Sequence, residues 1–166
     1  MALLEKDLIV KTSKVPGAGK GLFTLKLIPK GSRIVEYKGK ITTWKEVDHK
    51  KGNNGYIYYV NRNYVIDARS HPKALARYAN DARGMKRIRG LGNNAEYVED
   101  GLKVFIESKK DIPAGSEILV SYGKEYWDSI RYNQSLDNKK DKKKAKKAGN
   151  SRVKKNTRAN PTRKYN

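Results

Sequence analysis

Eleven tyrosines against two phenylalanines give the chain an excess of aromatic rings that end in a hydroxyl. Four of them, Tyr56, Tyr58, Tyr59 and Tyr64, lie close together. On an extended strand Tyr56 and Tyr58 share one face and Tyr59 takes the other. A face of this kind can enclose a cationic alkylammonium group. Core packing is the other use of each single tyrosine. A glycine cluster, Gly17-Ala18-Gly19-Lys20-Gly21, offers backbone that a ligand can approach closely. It is not a P-loop, because Lys20 is followed by Gly21 rather than Ser or Thr. It also lacks the spacing and the following helix of a dinucleotide loop, and a simple turn accounts for it as well. Two further segments join polar and aromatic groups: Ala76-Arg77-Tyr78-Ala79-Asn80-Asp81, and Ser121-Tyr122-Gly123 with Tyr126-Trp127 just beyond.

Composition narrows the chemistry. There is no cysteine, so disulfide scaffolds and thiolate metal sites are excluded. The two histidines, His49 and His71, stand far apart without a partner at ligand spacing, so no metal site is expected. No apolar run approaches the ~20 residues that span a bilayer. Residues 1–10 mix Glu5, Lys6 and Asp7 into a short apolar stretch, which does not read as a signal peptide. The net charge of +21 is unevenly spread: residues 138–166 hold 13 Lys and Arg against one acid, Asp141. That segment has almost no large apolar residues, so it is expected to be disordered and to attract polyanions, nucleic acid first. A solvated tail that aids solubility is the other reading. Residues 1–137 form the expected domain, and 138–166 the basic tail.

The elements that must position these residues are mostly short strands. Alternation and turn residues predict strands over 8–12, 21–26, 32–37, 56–61, 64–66, 95–98, 102–107 and 116–121. Glu99-Asp100-Gly101 is a hairpin signal. Short helices are predicted over 43–50, 72–78 and 124–131. The heptapeptide Ile28-Pro29-Lys30-Gly31-Ser32-Arg33-Ile34 is echoed by Ile112-Pro113-Ala114-Gly115-Ser116-Glu117-Ile118, and a recurrent turn type accounts for both. The class is α+β, mostly β, built from small sheets.

In order, the chain carries Gly19-Lys20-Gly21-Leu22-Phe23, Glu36-Tyr37-Lys38-Gly39, Val65-Ile66-Asp67-Ala68, Ala76-Arg77-Tyr78-Ala79-Asn80, Asn93-Asn94-Ala95-Glu96-Tyr97 and Gly115-Ser116-Glu117-Ile118-Leu119-Val120-Ser121-Tyr122-Gly123. This ordered set resembles the SET-domain protein-lysine methyltransferases, over about residues 7–130 and in the small stand-alone form of bacterial or viral members. The resemblance implies a β-clip-like fold of small sheets with a C-terminal pseudoknot. It implies S-adenosylmethionine as cofactor and a lysine side chain of a protein as methyl acceptor, the two reaching the site from opposite faces through a narrow channel. By the same resemblance Gly19, Lys20, Gly21, Arg77, Asn80, Asp81 and Trp127 hold the cofactor. Tyr122 and Tyr56 are catalytic, and Tyr56, Tyr58 and Tyr122 line the lysine channel. Asp67 and Glu117 take structural roles.

Three features depart from that family's pattern. Asp81 and Ala82 follow Asn80 where His and Ser are usual. Cysteine-rich flanking modules are absent, which leaves Tyr126-Trp127 to cover the cofactor. The segment 40–55, which often carries substrate specificity, is short. The expected substrate is a basic or nucleic-acid-associated protein. The alternative is a nucleic-acid-binding module on a degenerate SET body, with the tail as contact. A third possibility is methylation of the tail's own lysines, 139–147. No membrane or metal partner is expected, and the expected compartment is cytoplasmic, or nuclear in a eukaryotic source.

Overall fold

A computed structural model describes residues 3–49, 54–84 and 87–156, the last eight of these by backbone alone. The chain divides into two compact units, Met1–Trp127 and Asp128–Asn166. The first unit holds eight short strands in three antiparallel sheets. Strand β1 (Leu8–Thr12) pairs with β2 (Lys20–Thr24); β3 (Arg33–Glu36), β8 (Lys103–Ser108) and β7 (Ala95–Asp100) form the second sheet in that order; β4 (Lys40–Thr42), β6 (Tyr64–Asp67) and β5 (Ile57–Asn61) form the third. In the central strands β6 and β8, Val65, Ile66, Val104 and Ile106 are buried. The β7–β8 hairpin turns at Gly101, whose φ of 62° suits the tight turn that Asp100-Gly101 predicts.

Local sequence rules account for most of these elements, and four expectations are corrected. The segment 116–121 is not a strand in a ladder. It makes single bridges to three places: Glu117 to Phe23, Leu119 to Asn80 and Val120 to Ala95. Leu119 and Val120 thus run parallel between the Asn80 segment and the start of β7. This is the terminal threading expected of the pseudoknot. The predicted helix over 43–50 is a single turn, closed by Val47 N–H donating to the Thr43 carbonyl at 3.0 Å; Lys50 lies outside the described residues. One turn gives one main-chain bond for several fixed dihedrals, too little to propagate. The third predicted helix is instead a long one, α1 (Lys124–Asn156). Residues 138–156 are therefore helical rather than disordered, while 157–166 lie outside the described residues. Lysine and alanine are strong helix formers, and the disorder argument weighed only the missing apolar surface. The predicted helix over 72–78 is a short 3-10 turn, Leu75–Tyr78.

The echoed heptapeptides face each other across a local two-fold. Ile28 and Ile112 exchange main-chain hydrogen bonds of 2.9 and 2.8 Å. Gly31 N–H donates to the Ser108 carbonyl at 2.8 Å, and Gly115 N–H donates to the Thr24 carbonyl at 2.7 Å. Ser108 N–H reaches the Ser32 carbonyl, and Thr24 N–H reaches the Ser116 carbonyl, both at 3.0 Å. Each copy therefore closes on the strand that leads into the other. Ile28, Ile34, Ile112 and Ile118 are fully buried between them.

Gly39 links this core to the third sheet. A Cβ there would lie 2.6 Å from the Asp67 carbonyl oxygen and 2.8 Å from the Ala68 nitrogen. Backbone cannot retreat as a flexible side chain can. Gly39→Ala should therefore lower stability by on the order of 1–3 kcal/mol, read as a lower urea midpoint at unchanged slope. An unchanged midpoint would mean that β4 and β6 separate without cost.

Candidate functional site

Two cavities of the first unit share a wall. The larger, about 520 Å³, is lined by Tyr37, Tyr58, Tyr97, Arg77 and Ala79 among others. The smaller, about 240 Å³, is lined by the Val15-Pro16-Gly17-Ala18 loop, Tyr56, Asn80, Asp81, Gly84 and Trp127. Tyr122, Tyr126 and Gly55 line both. The two spaces therefore meet at the tyrosine that closes the Ser121-Tyr122-Gly123 motif.

Tyr122 is held from several sides. Its hydroxyl donates to the Ala79 carbonyl at 2.7 Å, and its main-chain N–H donates to Asp81 Oδ2 at 2.9 Å. Its ring stacks on Trp127 at 6.0 Å between centroids and meets Tyr126 edge-on at 5.0 Å. Burial, with further contributions from Tyr126, Tyr37 and Asp81, pushes its phenol well above the ordinary tyrosine range. The hydroxyl thus stays protonated at any working pH.

Asp81 is 2 % exposed and accepts four hydrogen bonds. Oδ1 takes Arg83 N–H at 2.8 Å and Asn93 Nδ2 at 2.9 Å. Oδ2 takes Tyr122 N–H at 2.9 Å and Trp127 Nε1 at 2.8 Å. Burial alone would raise its pKa, but donors from Trp127, Tyr122, Arg83 and Asn93 outweigh it and the carboxyl is held below its usual value. One carboxylate therefore ties the tyrosine motif, the 82–84 turn and the indole together. Nothing in the sequence alone marks this task, because its donors come from four separate positions.

Asn80 lies beside a second buried carboxylate. Its Nδ2 donates to the Lys20 carbonyl at 2.9 Å and to Glu117 Oε1 at 3.3 Å. Glu117 also accepts Ser13 Oγ at 2.6 Å and Lys14 N–H at 2.7 Å. A Cβ on Gly21 would collide with that same carboxylate. Gly21 is thus glycine because Glu117 fills the space. Gly19, Lys20 and Gly21 are not among the residues that line the smaller cavity; the loop reaches it earlier, through residues 15–18.

Arg77 was expected among the residues that hold the cofactor. It lines the larger cavity and not the smaller one. Its guanidinium lies 4.0 Å from the Tyr56 ring centroid, and Nη1 donates to the Arg69 carbonyl at 3.0 Å. Tyr56 lines the smaller cavity and Tyr58 the larger. Tyr58 donates to Glu99 at 3.2 Å, and burial with the nearby Glu99 pushes its phenol up to about 12. Tyr37 and Tyr97 complete a cluster around Tyr58, with centroids 5.8 and 5.1 Å from its ring. Both are raised well above the tyrosine range, chiefly by burial. Neither was singled out as a site residue, although both sit inside quoted motifs. The third sheet brings Tyr58 to them, which no local spacing could reveal. Tyr126, expected with Trp127 to cover the cofactor, lines both cavities.

Among the described residues no group of His, Cys, Asp and Glu is arranged to hold a metal ion. No described helix is long and apolar enough to cross a membrane.

A SET-domain family model matches residues 19–123. Among curated proteins, N-lysine methyltransferase KMT5A of Xenopus tropicalis is 24% identical over 139 residues, covering 78% of this chain and 40% of the relative. The chain thus spans about two fifths of the length of that relative. Among solved structures, the methyltransferase domain of human PR domain-containing protein 2 matches with a TM-score of 0.52 at 27% identity, covering 70% of this chain and 77% of that one. The family match runs from within the glycine cluster to Gly123, so it contains both motifs and, of the wall that the two cavities share, Gly55 and Tyr122. The chain belongs to the SET-domain family.

Proposed function

We propose that this chain transfers a methyl group from S-adenosylmethionine to the side-chain amine of lysine in a protein substrate. The observation that carries the reading is the pair of cavities joined at Tyr122. The smaller cavity suits a sulfonium cofactor. In a chain of net charge +21 none of the described residues that line it is Lys or Arg, while Tyr56, Tyr122, Tyr126 and Trp127 offer aromatic faces to a cation. Its volume of about 240 Å³ is below the ~300–1,000 Å³ of pockets that enclose a whole ligand, so part of the cofactor would remain outside. Asn80, the main chain at Asp81, the 15–18 loop and Trp127 would hold it. When bound, the cofactor supplies an electrophilic methyl group.

The chain's own residues supply orientation. The larger cavity, ringed by Tyr37, Tyr58 and Tyr97, admits a lysine stem and desolvates its amine. Desolvation beside a positive charge would lower the lysine pKa, so its proton would leave to water and the neutral amine would take the methyl group, the N–C bond forming as the C–S bond breaks and its electron pair stays on the departing thioether sulfur. Burial holds the Tyr122 phenol above the ordinary tyrosine range, which favours a positioning role over that of base. With its hydroxyl fixed on the Ala79 carbonyl, it defines where the amine and the methyl meet.

The substrate fits a basic segment. Glu125 lines the larger cavity, and Glu99 is held beside it by Tyr58. These carboxylates favour Lys or Arg beside the target lysine in an otherwise cationic molecule. The basic segment 138–166 favours a nucleic-acid-associated substrate by the same reasoning. The test is transfer of labelled methyl from S-adenosylmethionine to a panel of basic proteins, with the full chain. Incorporation stable to acid and located on lysine is expected. Absence of cofactor binding by calorimetry would overturn the proposal and leave the chain a binding module on a SET body.

A further inference from the structure

We propose that α1 carries a duplex-DNA-binding face made by the seven lysines Lys139, Lys140, Lys142, Lys143, Lys144, Lys146 and Lys147. This goes beyond the charge of the segment, because the helix arranges the charge. At about 100° per residue, the seven lysines fall within an arc of about 200°. Asp141, Ala145 and Ala148 lie on the remaining side. All residues from Gln134 to Ala148 are exposed, so the face is presented to solvent.

The same features select the occupant. An anionic membrane would need an apolar face beside the basic one, and between 138 and 148 the apolar residues are two alanines. Single-stranded nucleic acid is held by stacking on aromatic rings, and this stretch has none. Duplex RNA presents a major groove too narrow for a helix. The major groove of B-DNA admits one, with phosphates along both walls. Lysine contributes point charges rather than base-reading forks, so the contact is with phosphate and independent of sequence. Like charges at Lys139–Lys143, Lys140–Lys144, Lys142–Lys146 and Lys143–Lys147 oppose the helix by a few tenths of a kcal/mol each. Phosphates along the groove relieve that repulsion, so binding and helix formation support one another.

The experiment uses the full chain and a fluorescein-labelled mixed-sequence B-DNA duplex, with anisotropy followed across a salt series. Binding with a steep negative dependence of log K on log salt is expected. Replacing Lys142, Lys143, Lys146 and Lys147 together by Gln keeps helix propensity and should flatten the slope by about 3 to 4. Ala145→Gln with Ala148→Gln, on the other side, should leave it unchanged. An unchanged slope in the four-lysine variant overturns the proposal. So does equal affinity for the same sequence as single strand, for duplex RNA, for phosphatidylserine vesicles or for polyglutamate. Tyr122→Phe should bind DNA with the wild-type slope, so failure of methyl transfer and failure of DNA binding are read separately.

Discussion

Tyr122→Phe should lower kcat for lysine methylation by roughly 10²–10³, the usual effect of removing one positioned hydroxyl, while cofactor affinity changes little. The ring stays, with its stack on Trp127 and its edge contact to Tyr126. What is lost is the bond from the hydroxyl to the Ala79 carbonyl and the point on which the two cavities converge. Tyr56→Phe provides the contrast. Tyr56 lines the smaller cavity with its ring under Arg77, so its loss of a hydroxyl should act more weakly on kcat. The pH profile separates positioning from base catalysis. Tyr122 titrates well above the ordinary tyrosine range, so its ionisation cannot shape activity near neutrality. Rate should rise with pH as substrate lysine loses its proton, with the same shape in wild type and Tyr122→Phe. A change of shape would assign Tyr122 a role as base. An unchanged kcat would remove it from the site.

The sequence was most informative where structure is local. Strand β1 follows from alternation over Leu8–Thr12, and the β7–β8 turn from Asp100-Gly101. Strand β4, Lys40–Thr42, was missed because three residues carry no period; its place is set by pairing with β6 and by the close approach at Gly39. The reverse error occurred at 116–121, where β-branched residues suggested a strand. There the chain bridges Phe23, Asn80 and Ala95 in turn, and no local pattern encodes three partners. The candidate site divides along the same line. The motif order pointed to Tyr122, Asn80, Asp81 and Trp127, all of which line the smaller cavity. Arg77 and the 19–21 run lie outside it because tertiary packing sets which way a segment faces: the Arg77 guanidinium lies over the Tyr56 ring, and the Gly21 backbone lies against the Glu117 carboxylate. Residues 138–156 differ from expectation for another reason. Missing apolar surface predicts disorder there, whereas lysine-rich sequence has a strong local preference for the helix.

Asp81→Ala should be the most damaging single change in the site, costing on the order of 2–4 kcal/mol of stability, because it leaves four part-buried donors without their acceptor. Tyr122 N–H, Trp127 Nε1, Arg83 N–H and Asn93 Nδ2 all lose their partner at once. Asp81→Asn is the informative companion. It keeps one acceptor oxygen but turns an NH₂ toward one of the two donor pairs, so it should fold and still misplace either the 82–84 turn or the Tyr122–Trp127 pair. If the oxygen stays on the turn, kcat falls because Tyr122 shifts, and the Trp127 emission maximum moves as its indole N–H loses Oδ2. A purely structural aspartate would lower the melting temperature without moving that emission. The pH dependence follows from the sign of the shift. The folded-state pKa of Asp81 is depressed, so its contribution is fully present above the unfolded carboxylate value and is lost as pH falls through the folded one. Wild type should therefore lose stability below about pH 4, and Asp81→Asn should lose less over the same range. Parallel acid curves for the two proteins would mean that the carboxylate charge plays no part in holding the tyrosine. A neutral acceptor would then serve as well at this position.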